Sequence, residues 1–292
     1  MFGILQTVYS IIIGIVQGIA EWLPISSKTQ VLLASQALLH LNFQQAYTFG
    51  LFMEVGTILA AVIYFRRDLF SLVKVIVLRG THGEKKLFVY VLTTTIITGL
   101  IGAPLYLIAD TVTGISIGIP MLAIGLVLIG DAIFIRYSRK RRESGRGANI
   151  RKFESLGMKD YIIIGIVQGI AALPGVSRSG ITTSAMFLLN VEADEVFRLS
   201  FIIGIFASLG AFGLTFFASH TNVSAALSQI GLTGLLIAIA TATVVSLFLI
   251  DFLIKIASKS KIVYLITALG IIALASGALY IIYGSFGMPV VS

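Results

Sequence analysis

GIVQGIAEWLPISSKTQ at residues 14–30 and GIVQGIAALPGVSRSGIT at residues 165–182 share seven residues, then a proline and a serine-rich basic turn. With one gap, Pro24 aligns with Pro174, Ser27 with Ser177 and Lys28 with Arg178. The chain is therefore built from two halves that each carry hydroxyls beside a cation. Three residues separate Gly14 from Gly18 and Gly165 from Gly169, the small-xxx-small spacing that lets helices approach closely. Packing accounts for those glycines but not for the turns.

The 292 residues are 57% hydrophobic and 12% charged, with a mean hydropathy of +1.01. That leaves too little polar surface for a soluble protein of this length. About 20 apolar residues cross a bilayer as a helix, and six stretches fit, near residues 47–65, 88–109, 115–136, 197–219, 231–254 and 262–283. The N-terminal apolar run lacks a basic n-region and a small-residue cleavage site, so it reads as mature structure. With no cysteine, disulfides, thiolate metal sites and a cysteine nucleophile are excluded.

The net charge of +8 sits mainly in segments 66–86 and 136–152, with Lys255, Lys259 and Lys261 adding a third cluster. This distribution argues for loops that orient a membrane protein and against a nucleic-acid partner; anionic lipid head groups are a further candidate contact. With these loops cytoplasmic, the tips at 110–114 and 220–229, which hold no lysine or arginine, face outward together with both termini. Lys28 and Arg178 are then the basic residues left inside the repeats. The segments 4–40 and 161–190 are each two short apolar pieces broken at proline, too short to span. The sides fixed by charge make the first enter from outside and the second from inside.

The sequence thus predicts an all-α polytopic membrane protein: six transmembrane helices plus two oppositely oriented re-entrant hairpins in an inverted-topology repeat. A single membrane domain covers residues 1–292, with one half over about 1–136, a basic loop at 137–160 and the other half over 161–292. Broken helices in such repeats meet near the midplane, where non-helical backbone lines a polar cavity.

A serine-rich turn that opens a helix offers N–H groups, hydroxyls and the positive end of the helix dipole, a setting for an anion and above all for phosphate. Ser26, Ser27 and Thr29 surround Lys28; Ser177, Ser179 and Thr182 surround Arg178. Arginine's fork can hold two phosphate oxygens, and an intramembrane arginine points to function. Lys28 either contacts the substrate or snorkels outward as an anchor. Gln17 and Glu21 share a helix face, while the second copy keeps Gln168 but has Ala172 in place of Glu21. Glu21 is a candidate general base or ligand of a divalent cation, or an ion-pair partner of Arg178. Glu54, inside the first spanning stretch, is a further candidate by location. Asp131, Asp251 and Arg198 fall near cytoplasmic helix ends, where interfacial solvation is the expected state. The architecture suits a transporter or flippase of a lipid phosphate as well as an enzyme, and the basic turns also suit a receptor for phospholipid head groups.

In these residues the chain resembles the undecaprenyl-diphosphate phosphatases of the bacitracin-resistance type. The resemblance rests on Gln17-Gly-Ile-Ala-Glu21 running into Pro24-Ile-Ser26-Ser27, and on Pro174-Gly-Val-Ser-Arg-Ser-Gly-Ile-Thr182. It implies removal of the terminal phosphate from a polyprenyl diphosphate at the cell membrane, to regenerate the monophosphate carrier used for cell-surface glycans and to confer bacitracin resistance. It further implies Ser27 as nucleophile or proton relay, Glu21 as base or metal partner and Arg178 as the clamp on transition-state charge. Ser26, Thr29, Ser177 and Ser179 would hold phosphate oxygens, a magnesium or calcium ion would assist with no organic cofactor, and the protein would form a homodimer. Members of that family usually carry a histidine three residues after the second serine. Gln30 stands there and cannot relay a proton, which leaves that part to Glu21, Glu54 or a metal-bound water.

Overall fold

The computed structural model describes residues 3–23, 25–41, 43–78, 80–111, 118–143, 150–173, 176–218, 220–257 and 262–285. Pro24, Pro174, the tip beyond residue 111, the middle of the basic loop at 144–149, Lys259, Lys261 and both chain ends lie outside the described residues. Among the described residues the structure is helical, apart from an isolated bridge between Arg151 and Val191.

Helix α1 (Ile4–Ala20) and α2 (Ser27–Leu39) form a first hairpin, and α7 (Met158–Ile170) and α8 (Arg178–Leu188) form a second. On α1 the buried residues Ser10, Ile13, Gly14, Gln17 and Gly18 recur at helical spacing. Tyr161, Ile164, Gly165, Gln168 and Gly169 do the same on α7. Both stripes follow the 3.6-residue period of an amphipathic helix.

Six longer helices occupy the predicted apolar stretches: α3 (Phe43–Tyr64), α5 (His82–Thr111), α6 (Gly118–Glu143), α9 (Ala193–Ala218), α10 (His220–Ala257) and α11 (Ile262–Ser285). Three stretches among the described residues, His82–Ile108, Ala193–Leu214 and Ile230–Ile256, are long and apolar enough to cross a membrane. Leu100 is 66% and Phe248 76% exposed, as large apolar side chains are when lipid is their solvent.

Two expectations change. Segment 66–86 is helix for most of its length: α4 (Arg66–Leu78) packs on α3 and α5, and α5 starts at His82. Residues 220–229 belong to α10 and are set off from its long arm at Gly231, whose φ of 68° and ψ of 170° interrupt the helix. That backbone is open to glycine and strained for other residues.

The packing repeats as the sequence does. Helix α1 lies on α10 and α7 lies on α5; α2 packs on α3 and α8 on α9; α10 meets α3 as α5 meets α9. The doubled glycines make the first two contacts possible. A Cβ on Gly14 would stand 2.5 Å from the Ala238 carbonyl oxygen, and one on Gly18 2.8 Å from Val245 Cβ. On Gly165 it would stand 2.8 Å from Ile97 Cβ, and on Gly169 2.6 Å from Ile101 Cβ. The turn after α1 and the first turns of α2 tie two apolar cores together. Trp22 packs edge-on against Phe201, with ring centroids 4.8 Å apart, in one core, and Val31 and Leu32 enter the other.

Candidate active site

The two turns come together. The Ser179 hydroxyl of the second donates to the Leu23 carbonyl of the first at 3.0 Å. In the second turn Ser177 caps α8, its hydroxyl accepting from the Gly180 N–H at 3.2 Å, so Arg178 opens the helix. In the first turn Ser26 takes a left-handed conformation with φ 57° and ψ 88°, which a non-glycine residue holds only when its surroundings enforce it. Its carbonyl accepts from the N–H groups of Thr29 and Gln30, and Ser27 opens α2.

Glu21 caps α1 and is the hub. Its Oε1 accepts from Arg178 Nη2 at 2.5 Å, and its Oε2 accepts from the Ser27 hydroxyl at 2.6 Å and from Gln17 Nε2 at 3.1 Å. Arg178 Nη1 donates to the Gly204 carbonyl and to Ser208 Oγ at 2.7 Å, both on α9. Glu54 lines the same cavity as Ser208, and its Oε1 lies 3.9 Å from Lys28 Nζ. Polar contacts thus join both hairpins to α9 through Arg178 and the first hairpin to α3 through Lys28 and Glu54. Such a network rigidifies the groups in it when its members are satisfied.

This network lines a cavity of about 160 Å³, room for several waters at about 30 Å³ each. Its polar wall includes Glu21, Ser26, Ser27, Lys28, Glu54 and Arg178, with Ser177 and Ser208 beside them. The lining also includes Gly102, Ala103 and Tyr106 of α5 and Gly210, Ala211 and Leu214 of α9.

The remaining predicted site residues stand behind that wall. Gln17 is fully buried against Glu21. Thr29 bonds Ser26 at 3.0 Å, Gln30 Nε2 donates to the Ile25 carbonyl at 3.2 Å, and the Thr182 hydroxyl meets Ser200 at 2.5 Å. None of these four lines the cavity, nor does Ser179. Arg198, expected to be solvated, pairs with Asp68, and Asp251 pairs with Lys255 at 2.5 Å; the Asp131 side chain lies outside the described residues.

Sequence reasoning missed Ser208, Gly204 and the wall around Gln168. The Arg178 guanidinium lies against Gly204, where a Cβ would stand 2.9 Å from its central carbon. Serine and glycine inside an apolar helix carry no periodic or spacing signal that would have singled them out.

Among the described residues no three His, Cys, Asp or Glu side chains gather as a ready metal site. The donor set fits a divalent cation in a narrower way. Magnesium at phosphate sites is held by one or two carboxylates together with substrate oxygens and water, and Glu21 and Glu54 supply two carboxylates on the cavity wall. Glu21 has both oxygens engaged, which leaves Glu54 the better placed of the two.

A model of the family described as bacitracin resistance protein BacA matches residues 10–275 of the chain. The chain is 52% identical over 257 residues, 88% of its length and 90% of the relative's, to a Saccharolobus islandicus protein named undecaprenyl-diphosphatase. Proteins of the same name from Saccharolobus solfataricus and Sulfurisphaera tokodaii are 49% and 46% identical over 270 and 274 residues, 92% and 93% of this chain and 95% and 97% of theirs.

Proposed function

Because the chain belongs to the BacA family of bacitracin resistance proteins, we propose that it is an undecaprenyl-diphosphatase, a membrane hydrolase that converts undecaprenyl diphosphate to the monophosphate carrier and phosphate. The observation that carries this reading is the 2.6 Å hydrogen bond from the Ser27 hydroxyl to a Glu21 carboxylate that is itself clamped by Arg178 of the other repeat. A nucleophile, its base and a cation that orients the base share one wall of one cavity.

In this mechanism Ser27 Oγ attacks the terminal phosphorus, its proton passes to Glu21, and the bond to the lipid monophosphate breaks. Phosphoryl transfer through a loose transition state needs mainly positioning and neutralisation of charge. Arg178 supplies neutralisation by turning donors from Glu21 toward phosphate oxygens, and Ser26, Lys28 and Ser177 hold the remaining oxygens. Thr29, Ser179 and Thr182 act from behind by fixing the turns. Glu21 and Glu54 already balance Lys28 and Arg178, so a diphosphate brings unmatched negative charge into a low-dielectric site. A magnesium or calcium ion held by Glu54 and Glu21 with the substrate would offset that charge.

The same reading assigns six spanning helices and two opposed re-entrant hairpins, with the basic segments cytoplasmic and both termini outside. The exchange of partners between halves, α1 on α10 and α7 on α5, supports a two-fold relation between the repeats. The apolar residues that α5 and α9 add to the cavity lining suit the first isoprene units of the lipid.

The test is phosphate release from a polyprenyl diphosphate by purified protein in detergent, with magnesium or calcium added. Release that depends on Arg178 supports a phosphatase. Absence of release together with movement of the lipid across reconstituted vesicles would instead make the chain a transporter that uses the same site.

A further inference from the structure

The two copies of GIVQGIA place equivalent glutamines, Gln17 and Gln168, at the ends of α1 and α7, and the structure uses them differently. Gln17 donates to Glu21. The second copy has Ala172 where Glu21 would be, so Gln168 has no carboxylate to serve. It turns to α5 and donates from Nε2 to Thr98 Oγ1 at 3.0 Å, while Thr98 donates its own hydrogen to the Gly165 carbonyl at 3.1 Å. That order of donors fixes the amide. The Thr98 hydrogen is already committed, so Thr98 can only accept from Gln168, and the Gln168 carbonyl Oε1 is the atom left over.

Gln168 is 2% exposed, lines the cavity, and its Oε1 is buried with no hydrogen-bond partner. Thr95 Oγ1, on the same wall, is also buried without a partner. A buried acceptor left unmet is costly, so Gln168 Oε1 calls for a ligand that can donate. Ionised phosphate oxygens cannot donate to the Gln168 carbonyl, whereas water can, while also bonding the Thr95 hydroxyl as donor or acceptor. Neither residue belongs to the Ser27, Glu21 and Arg178 group, and both sets line the same cavity.

We propose that Gln168, assisted by Thr95, positions the water that completes hydrolysis; this rests on the phosphatase reading with Ser27 as nucleophile. The water oxygen bonds to phosphorus as the bond from phosphorus to Ser27 Oγ breaks. Ser27 recovers its proton from Glu21, and dihydrogen phosphate leaves with both protons of the water. Gln168 moves no proton. It orients the attacking oxygen, as glutamine does in other phosphoryl-transfer sites.

The experiment follows product partition by the full-length protein on a polyprenyl diphosphate in a fixed water–methanol mixture, counting inorganic phosphate against methyl phosphate. A site that holds water favours hydrolysis over methanolysis. Gln168→Leu should release phosphate about tenfold more slowly and shift the ratio toward methyl phosphate by at least about threefold, with KM near wild type. Gln168→Met, and Thr98→Val, which frees the amide to rotate, should shift the ratio the same way and provide the test if the leucine variant does not fold. A merely structural role would lower both products in proportion. An unchanged ratio therefore overturns the assignment whether or not the rate falls, and so does absence of methyl phosphate from wild type and variants alike. A wild-type protein that releases no phosphate at all would overturn the phosphatase reading itself.

Discussion

Glu21 and Arg178 stand 157 residues apart in sequence and 2.5 Å apart in space, one from each copy of the repeat. Their side chains are 5% and 15% exposed, so the pair sits where a lone charge is expensive. Breaking a buried pair by removing one partner costs about 3–5 kcal/mol. Arg178→Ala should therefore lower the melting temperature in detergent as well as abolish turnover, and adding Glu21→Gln should restore much of the stability but none of the activity. An Arg178→Ala protein as stable as wild type would show that the pair does not hold the hairpins together.

The doubled glycines make a second prediction about stability alone. Gly165→Ala sets a methyl 2.8 Å from Ile97 Cβ, and Gly14→Ala sets one 2.5 Å from the Ala238 carbonyl oxygen. Each should destabilise by about 1–3 kcal/mol through overpacking. Gly130→Ala on α6 meets nothing within 4 Å and should gain about 0.5–1 kcal/mol from helix propensity. Thermal unfolding of the three variants checks the contrast; equal effects would remove the packing role assigned to the repeat.

Asp160, at the start of α7, makes two hydrogen bonds to Arg151, at 2.9 and 2.6 Å, and accepts the Gly157 N–H at 2.8 Å. The Arg151 hydrogen bonds hold its carboxyl below the usual carboxylate range. A group with a depressed folded pKa contributes stability above its unfolded value, and that contribution is lost as pH falls through the folded one. Asp160→Asn should thus melt lower than wild type at pH 7, with the gap narrowing below about pH 4. A gap that does not vary with pH would mean that the charge is not what anchors the hairpin.

Topology is tested in this cysteine-free chain by Ser155→Cys and Ser228→Cys, both at exposed positions. An impermeant thiol reagent should reach the first from the cytoplasmic side and the second from outside. Labelling of both from one side would contradict the opposed arrangement of the halves.

Hydropathy and the repeat made most of the helices legible, because each of the six apolar stretches is occupied by one long helix. Helix α4 was hidden because Arg66, Arg67 and Lys74 read as a basic loop, although Phe70, Val73 and Val77 follow a helical spacing among them. In the site, residue type was legible and direction was not. Ser177 and Arg178 begin α8 facing the cavity, whereas Thr182, four residues further along, turns its hydroxyl to Ser200 of α9. Glu54 stood out as a charge in an apolar helix. Ser208 and Gly204 stood out only once α9 was set against Arg178, since nothing local distinguishes them. Gln168 was visible as half of a repeat, but its separate role depends on Thr98, 70 residues away.

The most direct test compares phosphate release from a polyprenyl diphosphate by wild type and Ser27→Ala under the same metal and detergent. If Ser27 is the nucleophile that Glu21 activates, the variant should lose at least about a thousandfold in kcat while remaining folded. Turnover near wild type in Ser27→Ala would contradict the account, because the cavity wall would then perform its chemistry without the group that the two repeats converge upon.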